Sequence, residues 1–131
     1  MASILIVDDD RDLAEAIAHT LQAEGYEARV ALNGREGLDR IYERRPDLIL
    51  LDVEMPILDG PAMLRRLESQ ATAPERFAVV LVSAVPDIAE MAAALSVRHQ
   101  LRKPFTLEAL LGTVARALEE IRATAGGVTR R

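Results

Sequence analysis

The stretch Pro46-Asp47-Leu48-Ile49-Leu50-Leu51-Asp52-Val53-Glu54-Met55-Pro56 sets the terms for the rest of the chain. Four apolar residues in a row, Leu48 to Leu51, end in one acid. The two prolines bound a run too short for an ordinary helix. It is therefore expected to be a strand buried on both faces, the pattern of a parallel sheet. In open α/β sheets, ligand chemistry lies outside the carboxyl ends of the strands. Asp52 is the first polar residue off that end, which places a carboxylate at the rim of a site.

A length of 131 residues suits one domain with one core. Hydrophobic residues make up 50% and charged residues 28%, the balance of a soluble globular protein. The net charge of −5 disfavours general affinity for nucleic acid or anionic membrane. Without cysteine there are no disulfides and no thiolate metal sites. No apolar run approaches the length of a membrane span. No signal-type segment opens the chain, because Asp8 to Asp10 follow too soon. A cytoplasmic protein is expected. Of the 16 basic residues only Lys103 is a lysine, consistent with a site that needs a compact point charge.

The rest of the chain repeats the theme. Ser3-Ile4-Leu5-Ile6-Val7 reads as a second buried strand and stops at Asp8-Asp9-Asp10. Leu13, Ile17 and Leu21 follow at helical spacing, and Gly25 closes that helix. His19 falls off the stripe and is read as solvated. Tyr26 to Leu32 is a weaker strand with Ala28 and Val30 inward. A helix is expected from about Arg35 to Arg44, with Leu38, Ile41 and Tyr42 as its apolar face. Gly37 inside it costs roughly 1 kcal/mol relative to alanine, and its missing side chain permits close packing. After the central strand, Asp59 is an N-cap candidate and Pro61 fits the first helical turn. Met63, Leu64 and Leu67 form the inner face of that helix, and Thr72-Ala73-Pro74 breaks it. Phe77 to Val82 reads as a fourth strand ending at Ser83-Ala84. An alanine-rich helix runs from about Pro86 to Leu95, with Ile88, Met91 and Leu95 inward. Val97 to Leu101 reads as a fifth strand, ending at Arg102-Lys103-Pro104-Phe105. Thr106 caps a last helix bearing Leu107, Leu110, Leu111, Val114, Leu118 and Ile121. One domain over residues 1–123 and a short tail over 124–131 are expected. Five strands alternating with five helices predict a (βα)5 parallel sheet, doubly wound, with helices on both faces.

The strand ends share one kind of chemistry. Asp8, Asp9 and Asp10 come from the first strand, Asp52 from the third and Ser83 from the fourth, while Lys103 follows the fifth. Carboxylates gathered this closely repel one another unless a cation joins them. Oxygen-only ligands suit Mg²⁺, which keeps several waters and takes one or two carboxylates. A carboxylate is also a nucleophile toward phosphorus, forming an aspartyl phosphate. Mg²⁺ and a lysine would then neutralise the transferring phosphoryl oxygens, and Ser83 would donate a hydrogen bond to one of them. One site accounts for all four groups.

On these residues the chain resembles the receiver domain of a two-component response regulator, of the single-domain, chemotaxis-regulator-like kind. The matching motifs are Asp8-Asp9-Asp10 after the first strand, Asp52 with Met55-Pro56 and Asp59-Gly60, Ser83-Ala84, and Lys103-Pro104-Phe105. They span about Ile4 to Ile121, and their order makes them specific together. The resemblance implies a flavodoxin-like fold. It implies that Asp52 accepts a phosphoryl group from a histidine kinase or histidine phosphotransfer protein. Asp8 and Asp9 would hold Mg²⁺ with Asp52 and the backbone carbonyl of Glu54. Lys103 would pair with the phosphoryl oxygens, and Ser83 would move to meet them. The domain would then signal to an unknown downstream protein by phosphorylation-dependent contacts, with no direct binding to nucleic acid or membrane. A homodimer through the fourth-helix and fifth-helix face is common among similar proteins.

Departures from the family pattern cluster near the fifth strand. The switch aromatic three residues before the lysine is Gln100 here, preceded by Arg98 and His99, and both His99 and Gln100 are expected to be exposed. Ser96-Val97 replaces the usual small residues, and Arg102 adds charge beside Lys103. Glu54 and Val85 hold positions whose side chains commonly tune dephosphorylation. Each site residue also has an ordinary role: Asp8 to Asp10 at a helix N-terminus, Asp52 as a cap, Ser83 in a turn, Lys103 as a surface charge. Two other functions are weighed against the switch. One is a haloacid-dehalogenase-like phosphatase with Asp8 as nucleophile and Asp10 as acid/base, which leaves Asp52 unexplained. The other is a degenerate receiver serving only as an interaction module, against which the intact acids and lysine argue.

Overall fold

The computed structural model describes residues 1–70 and 77–126. Its elements alternate strictly: β1 (Ser3–Val7), α1 (Arg11–Ala23), β2 (Glu27–Ala31), α2 (Gly34–Glu43), β3 (Leu48–Asp52), α3 (Gly60–Gln70), β4 (Ala78–Ser83), α4 (Ile88–Ala94), β5 (His99–Arg102) and α5 (Leu107–Gly126). The strands form one parallel sheet in the order β2-β1-β3-β4-β5. The chain winds one way from β1 to β2, then returns and winds the other way through β3, β4 and β5. The reversal puts a crevice between the carboxyl ends of β1 and β3, the place where such sheets bind ligands.

Side-chain alternation builds two cores. Ile4 and Ile6, Leu48 and Leu50, and Val80 and Val82 face α1 and α5, where they meet Ile17, Leu21, Leu110, Val114 and Leu118. Leu5 and Val7, Ile49 and Leu51, and Leu81 face α2, α3 and α4, where they meet Leu38, Ile41, Met63, Leu64, Leu67 and Ile88. Every residue of β1 and β3 is buried, which explains why both strands read as unbroken apolar runs. Burying each such Leu or Ile contributes about 1.5–3 kcal/mol, so these two strands anchor the edge that carries the acids.

The element ends follow the local chemistry. Asn33 caps α2 by accepting from the Glu36 N–H at 2.9 Å, and the Glu36 carboxylate accepts in return from the Leu32 N–H at 2.9 Å. Asp59 accepts from the Ala62 N–H and Thr106 from the Ala109 N–H, as their positions predict. Gly25 follows α1 with φ +95°, a left-handed conformation that glycine adopts without a Cβ penalty. Gly37 lies at a close contact. A Cβ there would lie 2.8 Å from Met63 Sδ and 3.2 Å from the Val7 side chain, so those side chains would have to give way.

Several sequence expectations are corrected. Tyr42 is 59% exposed and does not share the buried face of Leu38 and Ile41. Leu107, the first residue of α5, is 57% exposed. β5 begins at His99, not Val97. Ser96 has φ +60° and the Val97 N–H donates to the Ala92 carbonyl, so these residues still belong to the turn after α4. β4 extends to Ser83, and α5 runs from Leu107 to Gly126. His99 is half-buried, not exposed, since it faces α5 and pairs with Glu120. Gln100 is exposed as expected. The helix breaker Thr72-Ala73-Pro74 and tail residues 127–131 lie outside the described residues.

Candidate functional site

Strand register explains how residues far apart in sequence meet. Val7 lies opposite Leu51, so Asp8 and Asp52 leave the sheet side by side. Asp52 lies opposite Val82, and Ser83 opposite Arg102, so the next residue on each side brings Ser83 and Lys103 to the same edge. The Lys103 N–H donates to the Ser83 carbonyl at 2.9 Å and fixes that approach. The Lys103–Pro104 peptide bond is cis.

Among the described residues, Asp8, Asp9 and Asp52 each offer a carboxylate oxygen to one point, all within 4.8 Å of one another. Asp8 and Asp52 are buried and Asp9 is exposed, so the cluster opens to solvent on one side. Lys103 Nζ donates to Asp8 Oδ2 at 2.9 Å and lies 3.7 Å from Asp52 Oδ1. Asp8 Oδ1 accepts from the Asp10 N–H and Asp52 Oδ1 from the Val53 N–H, each at 2.9 Å. Ser83 Oγ is buried and accepts from the Val85 N–H at 3.2 Å. Its hydroxyl hydrogen is still there to donate. Glu54 follows Asp52 with an exposed side chain.

The electrostatics are those of a site built for a cation. Burial pushes the Asp52 carboxyl up, Asp8 adds repulsion, and the attraction of Lys103 and the Val53 hydrogen bond only partly offset them. The Asp52 pKa rises to about 7. Burial works against the Lys103 ammonium, but the hydrogen bond to Asp8 and the negative charges of Asp52 and Asp8 outweigh it and hold the lysine above its ordinary pKa. Lys103 thus faces two of the three acids, Asp8 and Asp52. An oxygen-only cluster of this kind fits a hard cation such as Mg²⁺ far better than a soft one.

Asp10 has a different task. Its carboxylate accepts from the Leu13 N–H at 3.1 Å and caps α1. Asp10→Ala is expected to lower stability by about 1 kcal/mol, the ordinary value of such a cap, and to leave Mg²⁺ affinity nearly unchanged. Urea denaturation and a Mg²⁺ titration check the two parts separately.

The relationships agree with this geometry. A family model, the response regulator receiver domain, matches residues 4–115. The chain belongs to the response regulator receiver family. A response regulator MprA of Mycolicibacterium vanbaalenii is 40% identical over 110 residues, which cover 82% of this chain and 46% of that protein. Another MprA, from Mycobacterium avium, is 39% identical over the same share of this chain and 47% of its own. The receiver thus spans about half the length of these curated relatives. Among solved structures, the receiver domain of NtrX from Brucella abortus superposes with a TM-score of 0.79 at 33% identity, covering 88% of this chain and 98% of that one. The chemotaxis response regulator CheY4 of Vibrio cholerae gives 0.80 at 32% identity, covering 89% and 98%.

The receiver is a signalling domain of two-component systems, and receivers of this family accept phosphoryl groups from histidine kinases. Its sheet order and helix placement are those of the flavodoxin-like neighbours. The structure brings together Asp8, Asp9, Asp52 and Lys103, with Ser83 on the adjoining strand. It leaves Asp10 on the helix cap. Sequence reading missed the His99–Glu120 contact, at 2.9 Å, to which Arg98 adds an ion pair at 3.5 Å. Strand alternation holds the signal: His99 shares the face of Leu101, the face that α5 covers. Among the described residues, no helix is long and apolar enough to cross a membrane.

Proposed function

We propose that Asp52 accepts a phosphoryl group from a histidine kinase or a histidine phosphotransfer protein. The observation that carries this reading is the convergence of the Asp8, Asp9 and Asp52 carboxylates within 4.8 Å, with Lys103 beside two of them. A carboxylate oxygen of Asp52 attacks phosphorus. The phosphorus–nitrogen bond of the phosphohistidine breaks, and the imidazole leaves with that electron pair and takes up a proton. An acyl phosphate remains on Asp52.

Asp8, Asp9, Asp52 and the Glu54 carbonyl would hold Mg²⁺, which when bound neutralises charge on the phosphoryl oxygens. Every other part is played by the chain. Burial and Asp8 hold the Asp52 pKa near neutrality, so a cation in the cluster favours the nucleophilic carboxylate. Lys103 supplies a fixed positive charge for a phosphoryl oxygen. Ser83 donates its hydroxyl hydrogen to another. Gln100 is exposed on β5, which supports an output that does not run through an aromatic rotamer. Phosphorylation is read by a partner protein at the surface around Ser83 and α4.

Acetyl phosphate with Mg²⁺ tests the reading by intact mass. The wild-type protein is expected to gain one phosphoryl group and Asp52→Asn none. A gain that survives in Asp52→Asn would place the acceptor elsewhere.

A further inference from the structure

Gly34 opens α2, and its φ is not positive, so the backbone there does not require glycine. The reason for glycine lies outside the helix. A Cβ at Gly34 would lie 2.5 Å from the Leu58 carbonyl oxygen and 3.1 Å from the Leu58 Cβ. The Gly34 N–H donates to that same carbonyl at 2.8 Å. A helix start leaves its first N–H groups without partners inside the helix. Here one of them straps α2 to the loop between β3 and α3.

That loop is stiff. The Leu58 N–H donates to the Pro56 carbonyl at 2.7 Å across Ile57, whose φ is +72°. A bond between residues two apart over such a φ is the strained kind of γ-turn. A β-branched residue is ill suited to its centre. The ring of Pro56 fixes its φ, and the proline after Met55 restricts that residue too. On the other side, the Gly60 N–H donates to the Val53 carbonyl at 2.9 Å, and a Cβ on Gly60 would collide with the Asp52 carbonyl. A displacement of Leu58 therefore finds no slack on either side. One way it reaches Glu54, and the other way Asp52. The anchor is equally firm. Asn33 and Glu36 close the start of α2 with two hydrogen bonds, and at Gly37 the helix lies close against Val7 of β1.

We infer that Gly34 is a positioning residue for the cation site: through the Leu58 carbonyl it holds the Glu54 carbonyl where Mg²⁺ would meet it. This rests on the reading of Asp8, Asp9, Asp52 and the Glu54 carbonyl as the Mg²⁺ ligands. Binding linkage is reciprocal, so Mg²⁺ tightens the strap that helps to bind it.

Two measurements test this, and neither needs phosphorylation. Calorimetric Mg²⁺ titrations compare wild type, Gly34→Ala, Ile57→Gly and the double variant, each first shown to be folded by circular dichroism. Gly34→Ala is expected to bind Mg²⁺ about tenfold more weakly, the scale on which groups that orient a metal ligand matter. Ile57→Gly is expected to stay within about twofold of wild type, because glycine adopts the left-handed φ without strain. In the double variant that glycine is a hinge beside Leu58, so the displacement stops there and affinity returns to within about threefold of wild type. A glycine needed only for folding would show no such rescue. Amide hydrogen exchange on wild type is the second measurement, and it decides even where Gly34→Ala does not fold. The control is the Arg44 N–H, which donates to the Arg40 carbonyl at the far end of α2. Saturating Mg²⁺ is expected to slow exchange at Gly34 by about tenfold more than at Arg44. Wild-type Mg²⁺ affinity in Gly34→Ala overturns the inference. So does a loss that Ile57→Gly fails to rescue, or equal slowing of the two amides. If wild type binds no Mg²⁺, the reading of the site falls and the inference with it. If wild type binds Mg²⁺ and acetyl phosphate never labels Asp52, the acceptor role falls and the strap stands.

Discussion

In metal-free solution at pH 8, Asp52→Asn is expected to be more stable than wild type by about 2 kcal/mol. The cause is the environment that makes Asp52 a candidate acceptor. Burial and the charge of Asp8 raise its pKa from an ordinary 3.8 to about 7. The folded state therefore holds this proton more tightly than the unfolded state does. Between those two values, unfolding releases the proton, so this residue's contribution to stability falls as pH rises. Above about 7 the full cost of the charge is present. The whole interval corresponds to about 4 kcal/mol at 1.36 kcal/mol per unit, and relaxation of the site and water reaching it in the charged form reduce that. Asparagine is neutral at every pH, and its amide oxygen still accepts from the Val53 N–H.

Urea denaturation in EDTA at pH 8 and pH 4 measures the difference between the two proteins, in which all other titrations cancel. The gap is expected to close at pH 4. A wild type as stable as Asp52→Asn at pH 8 would show that the fold does not disfavour the Asp52 charge. Adding Mg²⁺ is expected to stabilise wild type more than the variant, because the ion binds the folded state and loses a charged ligand in Asp52→Asn. Under the proposed role of Asp52, the site would trade resting stability for readiness to bind a cation and a phosphoryl group.

That energetic conflict is invisible in the sequence, although its location is not. The runs Ser3 to Val7 and Leu48 to Leu51 announce strands buried on both faces, and the acids after them mark the edge. Asp59 and Thr106 announce their helices because a cap needs only local hydrogen bonds. The assignments that fail need tertiary information. Asp10 has the same side chain as Asp8 and Asp9, and only the path of α1 commits it to Leu13. Tyr42 and Leu107 share helical spacing with core residues, but periodicity does not reveal that both stay exposed. β5 starts late because Ser96 adopts a left-handed φ. His99 meets Glu120 across 21 residues of sequence, through packing of α5 on the edge strand. The Asp52 pKa depends on burial and charge separation that only the fold determines.

Lys103→Ala is expected to move stability in the opposite direction from Asp52→Asn. In EDTA at pH 8 it should lower stability by about 3 kcal/mol, the cost of removing one member of a mostly buried ion pair. Asp8, only 3% exposed, would lose the ammonium 2.9 Å away. The linkage has the reverse sign to that of Asp52. Folding raises the Lys103 pKa, so its contribution is fully present below its ordinary 10.5 and is lost only as pH rises through the higher folded value. The deficit of Lys103→Ala should thus stay level from about pH 8 to pH 10 and shrink only above it. The double variant Lys103→Ala/Asp52→Asn should recover only part of the loss, since Asp52 is the farther partner at 3.7 Å and the buried Asp8 remains. Mg²⁺ should stabilise Lys103→Ala at least as strongly as wild type, because the three carboxylates survive and the competing ammonium does not. Labelling by acetyl phosphate should nevertheless slow by roughly a hundredfold, the scale on which one preorganised charge partner supports a transition state. Undiminished labelling would confine Lys103 to the resting charge balance. A slow rate with Mg²⁺ affinity intact would separate its two roles: counter-ion to Asp8 before transfer and partner of the phosphoryl group during it.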